Sequence, residues 1–420
     1  MFSTWGALTG LAIAVVLIVR RATPAYALVL GALAGGLLDG GGLPETVSAI
    51  ISGTQSMMPS ALRILTSGIL VGALVKTGSA ERIAGSIVNL TGARFALAGI
   101  ALATMIVTAV GVFVDIAVIT AAPVALAVGI RAGLPVPALL LAMVGGGKAG
   151  NVISPNPNTI AAADAFKVDI TALMMKNIIP ALCALAVTVI LSMWLARRSR
   201  AEVSCNDVSG ADDEEVKKLP NIFAAVAGPV AVVALLALRP VCGIAVDPLV
   251  ALPAGGLVSI VVCGRWRNTV ECCEFGLSKV VGVTILLIGT GAVAGIVKNS
   301  GLNADMIALL NACHLPAFAI APLSSVLLSG ATASTTAGVT IASQTFSGTL
   351  AQAGVPALSG AAMLHAGGTI FDALPHGSFF HATAGAVGMS VKDRLKLFPY
   401  GTLVGATTTI VSVVVYLIGF

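Results

Sequence analysis

The chain has 420 residues, of which 57% are hydrophobic and only 10% charged, with a formal net charge of +5. Soluble domains carry about 25% charged residues, so a mean hydropathy of +1.02 excludes a soluble globule and leaves room for roughly ten membrane helices of about 20 residues each. The basic residues stand in short clusters between apolar runs, where they act as topology signals and not as a nucleic-acid footprint.

In chain order, apolar runs predict spans near 5–19, 24–38 and 62–76. The first run precedes Arg20 and Arg21, the reverse of a signal peptide, so it reads as a retained span. The mixed segment 44–60 reads as an interfacial connector. Two long regions broken by glycine and proline follow, 95–131 and 135–172, and a span at 177–196 ends in Arg197, Arg198 and Arg200. The polar stretch 197–220, which carries both signs of charge, reads as a solvated linker. The beat then repeats: spans at 222–238, 248–263 and 280–297, a second connector at 266–279, broken regions 317–352 and 356–391, and a last span at 400–420.

The repetition extends to residues. Thr46-Val47 and Gly53 recur as Thr269-Val270 and Gly276, Val75-Lys76 as Val297-Lys298, Ala132-Gly133-Leu134-Pro135 as Ala353-Gly354-Val355-Pro356, and Gly146-Gly147 as Gly367-Gly368. The near-constant offset sets Asn151 opposite Asp372. Placing the arginine clusters in the cytoplasm puts both termini outside. It makes 95–131 and 317–352 re-entrant hairpins and inverts the second half relative to the first. The expected fold is therefore an all-α polytopic membrane protein of two inverted repeats, 1–196 and 221–420, with discontinuous helices.

Broken helices in inverted repeats mark a binding site near the bilayer midplane. The run Gly145 to Thr159 holds two prolines and unwound backbone, which survives at membrane depth only beside a cavity or inside protein. Its free N–H groups and helix N-termini favour anions. Lys148, Asn151, Ser154, Asn156, Asn158 and Thr159 are the substrate-binding candidates there, against the plainer reading of a helix-breaking turn. In the partner run, Gly367, Gly368 and Thr369 are further candidates. Asp372 and His376 are candidates for proton exchange, or else a buried structural pair. His365 and His381 read better as satisfied interior residues and His314 as a loop residue. The hairpin tips fall near Val112 to Asp115 and Ser329 to Thr336. Asp115, alone in an apolar run, needs a partner, for which Lys148 is the candidate. Ser334, Thr335 and Thr336 suit substrate oxygens, or merely back-bond within a helix. Seven scattered cysteines without a CxxC pair give no disulfide frame or metal site, and no cofactor is expected. No nucleophile–base pair suggests an enzyme.

The runs Gly145-Gly-Gly-Lys-Ala-Gly-Asn-Val-Ile-Ser-Pro-Asn-Pro-Asn158 and Leu364-His-Ala-Gly-Gly-Thr-Ile-Phe-Asp-Ala-Leu-Pro-His-Gly-Ser378 resemble the two half-site signatures of the gluconate permease family. That resemblance implies proton-coupled import of gluconate or a related sugar acid across the inner membrane, with D-serine or other small hydroxy acids carried by some members. It also places the chain in a wider superfamily that includes dicarboxylate carriers. Those carriers imply a homodimer in which a transport domain, here 95–172 with 317–391, moves against a scaffold. The Ser-Asn-Thr tips that bind sodium and carboxylate in them are absent, which favours protons over the sodium-coupled di- or tricarboxylate alternative. The expected partners are thus a small carboxylate, protons and the lipid bilayer.

Overall fold

The computed structural model describes residues 2–20, 22–40, 42–92, 95–198, 219–244, 246–302, 304–305, 308, 312, 316–375 and 377–419. Arg21, Arg94, Arg200, most of the 197–220 linker, His314 and His376 lie outside these. The described residues are almost entirely helical.

The first half holds α1 (Thr4–Val19), α2 (Pro24–Leu38), α3 (Leu43–Gln55), α4 (Met58–Lys76) and α5 (Ser79–Thr91). It continues with α6 (Ala96–Ala109), α7 (Val114–Ala132), α8 (Val136–Asn151), α9 (Pro157–Phe166), α10 (Ile170–Lys176) and α11 (Ile178–Arg198). The second half repeats the plan with α12 (Ile222–Cys242), α13 (Pro248–Val262), α14 (Thr269–Lys298), α15 (Ile320–Thr332), α16 (Thr335–Gln352), α17 (Ala357–Gly367), α18 (Ser378–Gly385), α19 (Val391–Lys396) and α20 (Phe398–Leu417). Among the described residues, five segments are apolar and long enough to cross a membrane: Met58–Lys76, Val114–Ala132, Ile178–Arg198, Trp266–Lys298 and Val391–Leu417.

Segments 44–60 and 266–279 are largely helical and packed, not short links. Residues 43–55 form α3, and 269–279 are the opening of a continuous 30-residue α14. At 1.5 Å per residue α14 is about 45 Å long, well over the ~30 Å hydrocarbon thickness. Its mixed composition falls at the N-terminal end, where Glu271 pairs with Lys76 at 2.8 Å. Helices α3 and α4 lie end to end along α14. Gly53 meets Gly291, Gly68 meets Gly276, and Lys76 meets Glu271, so α4 and its counterpart run antiparallel. The closing helices do the same, since Trp194 near the end of α11 packs on Tyr400 at the start of α20, with ring centroids 5.8 Å apart. Two equivalent pairs, both antiparallel, make the repeats inverted.

The repeated Gly-Gly pairs have the same cause in both halves. A Cβ on Gly146 would strike the Ala101 carbonyl of α6, and one on Gly367 would strike the Pro322 carbonyl of α15. Each glycine lets a hairpin helix lie directly against the first half of a broken helix. The hairpins turn at 110–113 and at Ala333–Ser334, where Ala333 takes a left-handed φ of 47°, close to the expected tips. The packing separates a frame, α1–α4 with α12–α14, from a core of the hairpins and broken helices. Helices α11 and α20 pack chiefly on that core, against α8 and α17. Frame and core meet where α14 touches α16, α4 touches α9, and α1 touches α15.

Candidate substrate site

The unwound segments are built from local hydrogen bonds. Asn156 caps α9, its Oδ1 accepting the N–H groups of Asn158 (2.9 Å) and Thr159 (3.1 Å). Its Nδ2 donates to Asn151 Oδ1 (2.6 Å) and to the Asn151 carbonyl (2.8 Å), tying the two halves of the broken helix across Pro155. Asn158 Nδ2 adds a bond to Asn151 Oδ1 at 3.1 Å, and Thr159 donates to the Ser154 carbonyl at 2.6 Å. In the second hairpin Ser334 caps α16 by accepting from the Ala337 N–H (3.2 Å), while Thr332 back-bonds to Leu328 (2.8 Å).

A cavity of about 250 Å³ opens between these segments. Its wall is made of matching positions from the two halves: Phe113 and Ser334, Val114 and Thr335, Asp115 and Thr336, Asn151 and Asp372, Asn158 and Phe379. All are residues of the first turn of α7, α9, α16 or α18, or lie at the unwound break. Four helix N-termini therefore point their positive dipole ends at one small volume.

The charges are arranged in two layers. Behind the wall, Lys148 is only 1% exposed. Its ammonium lies 2.6 Å from Asp372 Oδ1 and donates to the Thr369 carbonyl (2.7 Å) and the Gly401 carbonyl (3.2 Å). The other Asp372 oxygen accepts from Thr335 Oγ1 at 2.8 Å. Lys148 is thus the partner of Asp372 and not of Asp115: it is buried toward α17 and α20, where two carbonyls complete its shell. Asp115 sits in the first turn of α7, on the cavity wall that Lys279 of α14 also lines.

Of the sequence-predicted residues, Asp115, Asn151, Asn158, Ser334, Thr335, Thr336 and Asp372 come together around the cavity. Ser154, Asn156 and Thr159 form the buried scaffold of the break behind it. Gly367 and Gly368 are packing positions against α15 and α16, and Thr369 serves Lys148 through its carbonyl. His365 is interior as expected but not satisfied, because neither ring nitrogen finds a partner among the described residues. His381 bonds the Pro375 carbonyl at 2.8 Å.

Sequence reasoning missed Lys279, Ser378 and Phe379 of the wall. It also missed a second charged cluster where α4 meets α9. There Arg63 grips Asp247, the N-cap of α13, through two bonds (2.9 and 2.6 Å) and pairs as well with Asp164 of α9. The guanidinium holds the Asp247 carboxyl below the usual carboxylate range. Periodicity carries no signal for either: Lys279 reads as one more basic residue near a span end, and the carboxylates of the cluster are 83 positions apart.

A family model described as GntP family permease matches residues 4–419. A Haemophilus influenzae protein named an uncharacterized transporter is 50% identical over 99% of this chain and 98% of its own length. A second protein of that organism, named an uncharacterized permease, is 23% identical over 72% of this chain and 68% of its length. The crystal structure of the Alcanivorax borkumensis YdaH transporter superposes with a TM-score of 0.71 at 18% identity, covering 91% of this chain and 90% of that one; at that identity the likeness is one of fold.

Proposed function

The chain belongs to the GntP family of permeases, and we propose that it imports gluconate or a related hydroxy monocarboxylate by proton symport. The observation that carries this reading is the convergence of four helix N-termini on one cavity with side-chain hydroxyls and amides between them. Helix N-termini bind a carboxylate, while Asn151, Asn158, Ser334, Thr336 and Ser378 suit the hydroxyls of a sugar acid. At about 250 Å³ the cavity is smaller than the ~300–1,000 Å³ of drug-sized sites, which suits a small metabolite.

Charge balance supports the coupling ion. Asp115 and Asp372 offset Lys148 and Lys279, so the wall together with Lys148 carries no net charge. One carboxylate makes it singly negative, and one proton restores neutrality. Asp372 is already engaged by Lys148 at 2.6 Å. Asp115 has no ammonium within ion-pair distance among the described residues, and we assign it the proton. A dicarboxylate would need a second free cation, and Lys148 is already engaged. In this reading the core carries the site past the frame in an elevator-like motion, the frame forms a homodimer, and both termini lie outside the inner membrane.

The test is uptake of labelled gluconate into proteoliposomes with proton and sodium gradients imposed separately. Accumulation driven by the proton gradient is expected. Accumulation driven by sodium alone removes the proton, and transport of another acid in competition replaces the substrate.

A further inference from the structure

Two cavity residues, Lys279 and Val283 of α14, do not belong to the core, and Lys279 is the polar one. Lys279 stands about 15 Å along α14 at 1.5 Å per residue, an exposed residue on a helix that the frame holds through α2, α3 and α4. Lys279 lines the cavity, across from Asp115. Every other polar residue of the wall comes from the hairpins and broken helices that form the core. The matching place in the first half is Ser56–Met57, the uncharged break between α3 and α4. Among the described residues, the frame thus offers the cavity a cation from one half only.

Resting on the carboxylate reading of the site, we propose that Lys279 is the counter-ion of the substrate carboxylate in this conformation and releases it when the core leaves α14. Lys148 cannot take that part, because Asp372 and two carbonyls occupy its ammonium. Around Lys279, Asp115 of α7 faces it, Asp372 lies across the cavity already paired, and the Phe275 ring is 4.9 Å from Nζ on its own helix. Lys76 and Glu271, further along α4 and α14, satisfy each other. Asp115 and the substrate therefore compete for one ammonium, and a proton on Asp115 hands Lys279 to the carboxylate. Because the cation stays with the frame, the substrate is held more tightly in this state than after the core has moved.

The test uses the full-length protein in detergent, with thermal stabilisation read against gluconate, lactate, D-serine, succinate and neutral gluconamide. The wild type is expected to be stabilised by an acid and far less by gluconamide. Lys279→Gln should weaken the acid roughly 10–100-fold, the worth of one charge-assisted contact, and leave gluconamide unchanged; Lys279→Arg should stay within a few-fold of wild type. In proteoliposomes Lys279→Gln should raise KM with the maximal rate retained. Equal affinity of wild type and Lys279→Gln for the acid overturns the proposal, as does an equal loss in Lys279→Arg at unchanged ligand-free stability. If the wild type binds succinate or D-serine but not gluconate, the sugar-acid reading falls and Lys279 is judged on the acid that binds. Stabilisation by none of the acids removes the carboxylate from the site and Lys279's role with it.

Discussion

Lys148 and Asp372 are two charges held out of water at 2.6 Å, and removing either leaves the other unpaired. Breaking such a buried pair costs about 3–5 kcal/mol. Lys148→Met should therefore lower the unfolding midpoint sharply, and Lys148→Met with Asp372→Asn should regain much of the loss, as measured by intrinsic fluorescence on heating in detergent. Asp115→Asn makes the opposite prediction. It removes no ion pair among the described residues, so the fold should hold. Gradient-driven accumulation should vanish while exchange of substrate across the membrane continues; accumulation at the wild-type level would take the proton away from Asp115. The sequence allowed both carboxylates to be singled out, because an acid in an apolar run is conspicuous. It did not allow their partners to be told apart. Lys148 lies 33 positions from Asp115 and 224 from Asp372, and only the packing of α8 against α20 decides which it meets.

At the scale of helices, contact between backbones sets what each position tolerates. A Cβ on Gly276 would overlap the Gly68 backbone, whereas one on Gly282, six residues on in α14, meets nothing within 4 Å. Gly276→Ala should cripple folded yield in size-exclusion chromatography. Gly282→Ala should be tolerated, with up to about 1 kcal/mol gained from helix propensity. The helices themselves were readable from apolar runs, glycine–proline breaks and the repeat. The two misread segments, 44–60 and 266–279, show the limit of that reasoning. Hydropathy reports what a bilayer would accept, and it has no access to a helix that continues through a mixed segment by pairing with another. The glycines at 53 and 276 were visible as a repeat, but their purpose, close approach of α3 and α4 to α14, is a property of the pair.

For the molecule as a whole, the polar seam between α4, α9 and α13 ties core to frame. Asp247 has its carboxyl held low by Arg63. A lowered native pKa adds stability that is complete above the unfolded value of about 3.9 and is lost as pH falls through the native one. Wild type and Asp247→Asn should thus differ in melting temperature at neutral pH and converge in acid; a constant difference across the titration would exclude the linkage. The inverted plan was legible because repetition survives in sequence. The seam was not, since its three charged residues come from three separate elements and none belongs to either long motif.

Arg63 also has a mechanical side. It holds Asp247 with two bonds and Asp164 of the core with another, so it works as a detent between a part proposed to slide and a part that stays. Sliding must first pull Asp164 off an arginine that keeps its second partner, and the arginine is ready to recapture the core on its return. The detent is partly open to solvent, with side-chain exposures of 26% for Arg63 and 22% for Asp164, and ions in the bath weaken such contacts. Turnover should therefore quicken with ionic strength in the wild type and lose that dependence in Asp164→Asn, which would set the dwell time at one end of the stroke by salt alone.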